Sequence, residues 1–168
     1  MKKIAVYSFL LGTMLLTSCS EGKKTPPVTL PSAKTISVIK VPFEERGGVK
    51  VLPVKLNGVT MDMIYDTGCS GLHLSLLELQ QMAKQGRFSE SDIVGTSYSC
   101  IADGSIVENG QIILHSVEIA PDLFLENVEA SVAMNQDAPI LLGDEVLDKI
   151  AQKIEVDNLN KTINFTKW

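Results

Sequence analysis

The stretch Ile64-Tyr65-Asp66-Thr67-Gly68-Cys69-Ser70 carries an apolar strand into an acidic tight turn. Asp-Thr-Gly triplets arise often by chance, so its setting gives this one its weight. Residues 59–65 read as a buried strand, and Gly68 lets the backbone fold sharply enough for its N–H to face the carboxylate of Asp66. A carboxylate at the end of a strand, held by its own turn, is equipped for acid-base chemistry.

Upstream, residues 49–56 place Leu52, Val54 and Leu56 on one face, and Asn57-Gly58 is a strong short hairpin signal. The hairpin delivers Asp66 in a fixed register. Residues 36–43 are β-prone and end at a turn over residues 44–48. Downstream, residues 71–74 predict a short strand, and Ser75-Leu76-Leu77-Glu78 fits a capping box. The helix it opens is expected to run to about Lys84 and stop at Gly86, with Leu76, Leu79 and Ala83 facing the core.

Residues 87–95 are polar and expected to be irregular, anchored by Ile93 and Val94. Residues 96–102 and 105–119 form the arms of a second candidate hairpin about Asp103-Gly104, a dipeptide that also fits a plain surface turn. A strand over residues 123–134 follows the Ala120-Pro121-Asp122 break. Pro139-Ile140-Leu141-Leu142-Gly143 is a short apolar run, and residues 144–150 predict a short helix with Asp144 and Glu145 favourably near its N-terminus. Residues 154–156 and 162–165 make a closing hairpin across residues 157–161.

The 168 residues, 45% of them hydrophobic, fit one globular domain with appendages. The net charge is -5, and removing residues 1–18, which hold Lys2, Lys3 and no acid, leaves -7. That balance argues against a nucleic-acid partner. Lys2-Lys3 followed by the apolar run 4–16 reads as a signal peptide, too short to span a bilayer comfortably. Leu16-Thr17-Ser18-Cys19 resembles the bacterial lipobox, which implies lipidation of Cys19 and a membrane anchor; an ordinary signal peptide with an incidental cysteine is the plainer reading. Residues 20–35, with Pro26, Pro27 and Pro31, form a tether that reaches roughly 50 Å at about 3.1 Å per residue. The expected organisation is a signal peptide at 1–18, a lipidated cysteine and tether at 19–35, and a folded domain at 36–168. Ser20 after Cys19 resembles lipoproteins that lack an inner-membrane retention aspartate, which implies a lipid-anchored location in the cell envelope, at the outer membrane on its periplasmic or surface side. Cys69 and Cys100 would remain in the mature chain and could pair there.

The strand and acidic turn at 59–68, the hairpin about Asp103-Gly104 and the later Ile140-Leu141-Leu142-Gly143 together resemble the retropepsin family of aspartic peptidases, over about residues 49–165. The resemblance implies an all-β, closed-barrel acid-protease fold with one or two short helices. It makes Asp66 the catalytic aspartate, Thr67 the residue whose hydroxyl braces two loops across a dimer, and Gly68 the turn glycine that supports the carboxylates. Ile140, Leu141, Leu142 and Gly143 match the element that packs behind the catalytic loop, and Ala102, Asp103, Gly104 and Ser105 match the flap that closes over substrate. Cys69 and Glu145 depart from the residues usual at their positions.

Hydrolysis by carboxylates needs two of them close together, one ionised to activate water and one protonated to polarise the carbonyl. This chain has a single Asp-Thr-Gly or Asp-Ser-Gly triplet, so the second carboxylate is expected from Asp66 of another copy across a two-fold axis. The expected function is a homodimeric aspartic endopeptidase acting on extended peptides and requiring no metal or organic cofactor. The alternative is an inactive peptide- or protein-binding envelope lipoprotein of the same fold. Cys69 with His73 or His115 raises a thiol hydrolase, but no third orienting group is evident.

Overall fold

A computed structural model describes residues 36–101 and 103–167. The signal segment, Cys19, the tether, Ala102 and Trp168 lie outside the described residues. Strand β1 (Ser37–Pro42) is followed by a short β2 (Glu44–Arg46), β3 (Val49–Leu56) and β4 (Val59–Asp66). Next come β5 (Leu72–Ser75), helix α1 (Leu76–Lys84), a single 3-10 turn (Glu90–Asp92) and the long strands β6 (Ile93–Cys100), β7 (Ile106–Ala120) and β8 (Leu123–Ala133). The chain closes with β9 (Leu141–Gly143), α2 (Asp144–Ile150), β10 (Lys153–Asp157) and β11 (Thr162–Lys167).

The larger sheet runs β2-β3-β4-β9-β5-β8-β7-β6. β3 pairs a second time, with β7, through Lys55↔Glu118 and Leu56↔Val117, which closes the strands from β3 to β7 into a barrel. The seam is crossed by an ion pair, Lys55 Nζ to Glu118 Oε1 at 3.0 Å. Alternation fills the interior: Leu52, Val54, Leu56, Met63, Leu114 and Leu142 are fully buried. A separate sheet orders the remaining strands β1-β11-β10 and buries Ile163 and Phe165.

The turn that launches β4 forms as its sequence requires. Asn57 and Gly58 have φ of 47° and 86°, the left-handed geometry of a two-residue hairpin. Asn57 is itself buried: its Nδ2 donates to the Arg87 carbonyl at 2.9 Å and its Oδ1 accepts from the Ser116 N–H at 3.0 Å. One side chain therefore joins the hairpin to two distant segments.

Helix α1 carries the expected capping box. Ser75 Oγ accepts from the Leu77 N–H at 3.1 Å, and Glu78 accepts from the Ser75 backbone N–H at 3.1 Å and from its hydroxyl. Ser75→Ala is expected to destabilise the domain by about 1 kcal/mol in chemical denaturation, and an unchanged midpoint would dismiss the cap as a contributor. The buried helix residue is Met82, with Leu79 partly buried, whereas Ala83 is exposed. Spacings of three and four both suit a helix face, and the larger side chain took the inward position.

Two further expectations are corrected. Residues 44–48 are not all turn: β2 pairs with β3, and the reversal is confined to Gly47-Gly48, both at positive φ. Ile93 and Val94 open β6 and are about half exposed, so they do not anchor that segment. Asp92 does. It is 7% exposed, accepts from the Ser89 N–H at 2.8 Å and meets His115 Nε2 at 2.9 Å. The Ser89 N–H, then His115, hold its carboxyl below the ordinary carboxylate range. A depressed folded-state value contributes stability above the unfolded value and loses it as pH falls through the folded one. Asp92→Asn should therefore lower the Tm at pH 7, with the gap to the parent narrowing below about pH 4. A gap independent of pH would show that the carboxylate charge is not what stabilises this corner.

Candidate active site

The carboxylate of Asp66 stands at the last residue of β4, where the barrel is laced to β9. β4 and β9 are parallel, with Ile64 opposite Leu141, Tyr65 opposite Leu142 and Asp66 opposite Gly143. The Gly68 N–H donates to Asp66 Oδ1 at 2.9 Å, and the Cys69 N–H donates to the Asp66 carbonyl at 3.2 Å. Gly68 does not adopt a positive φ; a Cβ there would lie 3.2 Å from Asp66 Oδ1. Glycine is thus favoured at 68 by the close approach of the carboxylate, which a side chain would crowd, rather than by backbone conformation.

Residues 140–144 are hydrogen-bonded to β4 and to the loop that carries Asp66. The Gly143 N–H donates to the Gly71 carbonyl and the Asp144 N–H to the Cys69 carbonyl, each at 2.9 Å. Ile140 is partly buried against the core, its carbonyl accepting from the Ile64 N–H at 3.0 Å. Thr67, beside Asp66 in the same turn, is exposed.

Asp66 opens onto a cleft of about 940 Å³. One side is the loop 66–71 with β5; the other is the β6–β7 hairpin, represented by Ser99, Cys100, Ile101 and Val107. That hairpin turns where Asp103-Gly104 predicts: Gly104 has φ of 85°, and the Ser105 N–H donates to Asp103 Oδ1 at 2.8 Å. Asp103, Gly104 and Ser105 form its tip, while the residues that line the cleft come from its arms. The arms were missed as site residues, although their period-two alternation carried the signal: Asn109 and Gln111 on β7 alternate with buried Ile112 and Leu114.

Cys69 and Cys100 both border this cleft and are free thiols. Cys69 Sγ contacts the Gly71 carbonyl at 3.4 Å, and burial, aided by the nearby Asp66 and Asp144, raises its pKa. A protonated thiol is a poor nucleophile, and His115 is engaged with Asp92, so the thiol-hydrolase arrangement is not formed among the described residues. Burial lowers the pKa of His73, with Asp66 opposing, which keeps that ring neutral near pH 7. Glu145 faces the cleft from α2 and pairs with Lys149 at 3.0 Å.

The closed barrel, the acidic loop on β4 and the Gly143 turn behind it define the retropepsin-like acid-protease fold. No protein-family model and no curated sequence matches the chain. Among solved structures, the crystal structure of a retropepsin-like aspartic protease from Rickettsia conorii is similar, with a TM-score of 0.53 and 19% identity over 79% of this chain and 91% of that one. At that identity the likeness is one of fold.

Proposed function

We propose that the protein is an aspartic endopeptidase in which a water held between the Asp66 carboxylates of two copies attacks the scissile carbonyl. The observation that carries the proposal is Asp66 itself: an acid held by the Gly68 N–H at 2.9 Å and opening onto a cleft beneath a hairpin. Two such carboxylates brought together share one proton, so one acts as base while the other polarises the carbonyl. Thr67 supports the dimeric reading, because its exposed hydroxyl is available to a partner loop. β11 is flanked on both sides within its own chain, which leaves the outer edges of β1 and β10, or the faces of that sheet, for a second copy. The lipobox-like Cys19 and the tether support a location at the envelope membrane, and the cleft under the hairpin supports peptide or protein substrates bound as an added strand.

The test is cleavage of a diverse peptide library by the protein from acidic to neutral pH, beside Asp66→Asn. Cuts made by the parent and absent from the folded variant support the proposal. If a demonstrably dimeric parent leaves every peptide intact, the reading gives way to an inactive peptide-binding lipoprotein of the same fold.

A further inference from the structure

One part of the cleft lining, on β7 and β8, is polar. On β8, Val128, Ala130 and Val132 point into the core, which turns Glu129 and Ser131 outward to the cleft. On β7 the same alternation presents Asn109 and Gln111. Hydrogen bonds between strands fix these groups. Asn109 Nδ2 donates to Ser99 Oγ at 2.8 Å, and Gln111 Nε2 donates to Glu129 Oε2 at 2.9 Å. Apolar residues, among them Leu72, Leu74, Ile101 and Val107, line the rest of the cleft, so the polar groups of β7 and β8 form one local patch in it.

The charge of the cleft is one-sided. Its acids are Asp66, Glu129 and Glu145, and neither Lys nor Arg lines it among the described residues. Glu145 has Lys149 as partner, burial disfavours the charged form of His73, and Asp66 is assigned to chemistry. Glu129 remains: its hydrogen-bond donor is a neutral amide, and no cation pairs with it among the described residues.

We infer that Glu129 is a specificity-determining residue, and that the cleft takes peptides whose Lys or Arg side chain binds this carboxylate beside Gln111. The inference rests on the peptidase reading for its consequence, and on Glu129 for its chemistry. A charge-assisted hydrogen bond of this kind corresponds to a preference of about tenfold to a hundredfold over an uncharged isostere.

Two measurements test it. In the first, matched peptides with blocked termini that differ only as Lys or norleucine are given to the parent and to Glu129→Gln. The parent should favour Lys by about tenfold or more, and the ratio should collapse toward one in the variant; a parent without the preference, or a variant that keeps it, overturns the inference. In the second, affinity of the same peptides for Asp66→Asn is measured by calorimetry, without any need for cleavage. Tighter binding of the Lys peptide, lost on adding Glu129→Gln, supports the inference even if no peptide is ever cut. Equal affinities overturn it even if cleavage is robust. An unblocked norleucine peptide that binds as tightly as the Lys peptide would assign Glu129 to a terminal ammonium instead.

Discussion

Replacing Asp66 by Asn is expected to lower peptide cleavage by about three orders of magnitude or more while leaving the fold intact. Asn is nearly isosteric, and its Oδ1 can still accept the Gly68 N–H that holds the native carboxylate at 2.9 Å. What it lacks is a proton to share or lose, and water cannot be activated by a neutral amide. Circular dichroism and Tm should match the parent, and a folded variant that cuts at the parental rate would remove Asp66 from the chemistry. The same variant counts the chains in a site. If each site needs two Asp66 carboxylates, equal parts of parent and variant, allowed to exchange subunits, should retain about one quarter of the parental activity. A site complete in one chain would retain about one half.

Gly143→Ala is expected to cost about 3 kcal/mol or more, seen as a fall in Tm on the order of 10 °C, and to abolish cleavage as well. Gly143 has φ of -98° and ψ of 172°, which any residue can adopt, so backbone conformation is not the obstacle. Space is. An added Cβ would stand 2.5 Å from the Gly71 carbonyl oxygen and closer still to that of Cys69. Both are backbone atoms of the loop that holds Asp66, and neither can rotate aside. Relief would require separating β9 from that loop, breaking the bonds from Gly143 and Asp144 to the Gly71 and Cys69 carbonyls. Gly110→Ala is the control, since a Cβ there meets Val132 at an ordinary 3.8 Å. Equal melting temperatures for the two variants would refute this account of the turn.

The parts of the fold legible in the sequence are those with a local cause. Asn57-Gly58 specifies a turn geometry few other dipeptides tolerate, and β3 and β4 follow from it with Asp66 at the strand end. Ser75 and Glu78 mark the start of α1 by bonds made within four residues. The pairing of β4 with β9 is non-local, and became readable only through the resemblance carried by Ile140-Leu141-Leu142-Gly143. The seam between β3 and β7 had no such marker, because Leu56 and Val117 look like any other strand residues. The central place of β11 was hidden for the same reason. In the site, the floor was legible because acid and glycine are adjacent in the chain. The wall was not: Gln111 and Glu129 meet only after β7 and β8 pair, and separately each reads as a solvated polar residue.

In the small sheet, Ser37 lies opposite Lys167, so the first described strand is held by the last. Antiparallel partners of this kind have Cα atoms about 5 Å apart, although 130 residues separate them in sequence. Synthesis consequently delivers β1 long before its neighbour exists. Until β11 is in place, Val41, buried in the finished domain, lacks its strand partner Ile163. The small sheet is therefore completed by a pairing of very distant residues, a topology that makes for slow closure wherever the chain folds.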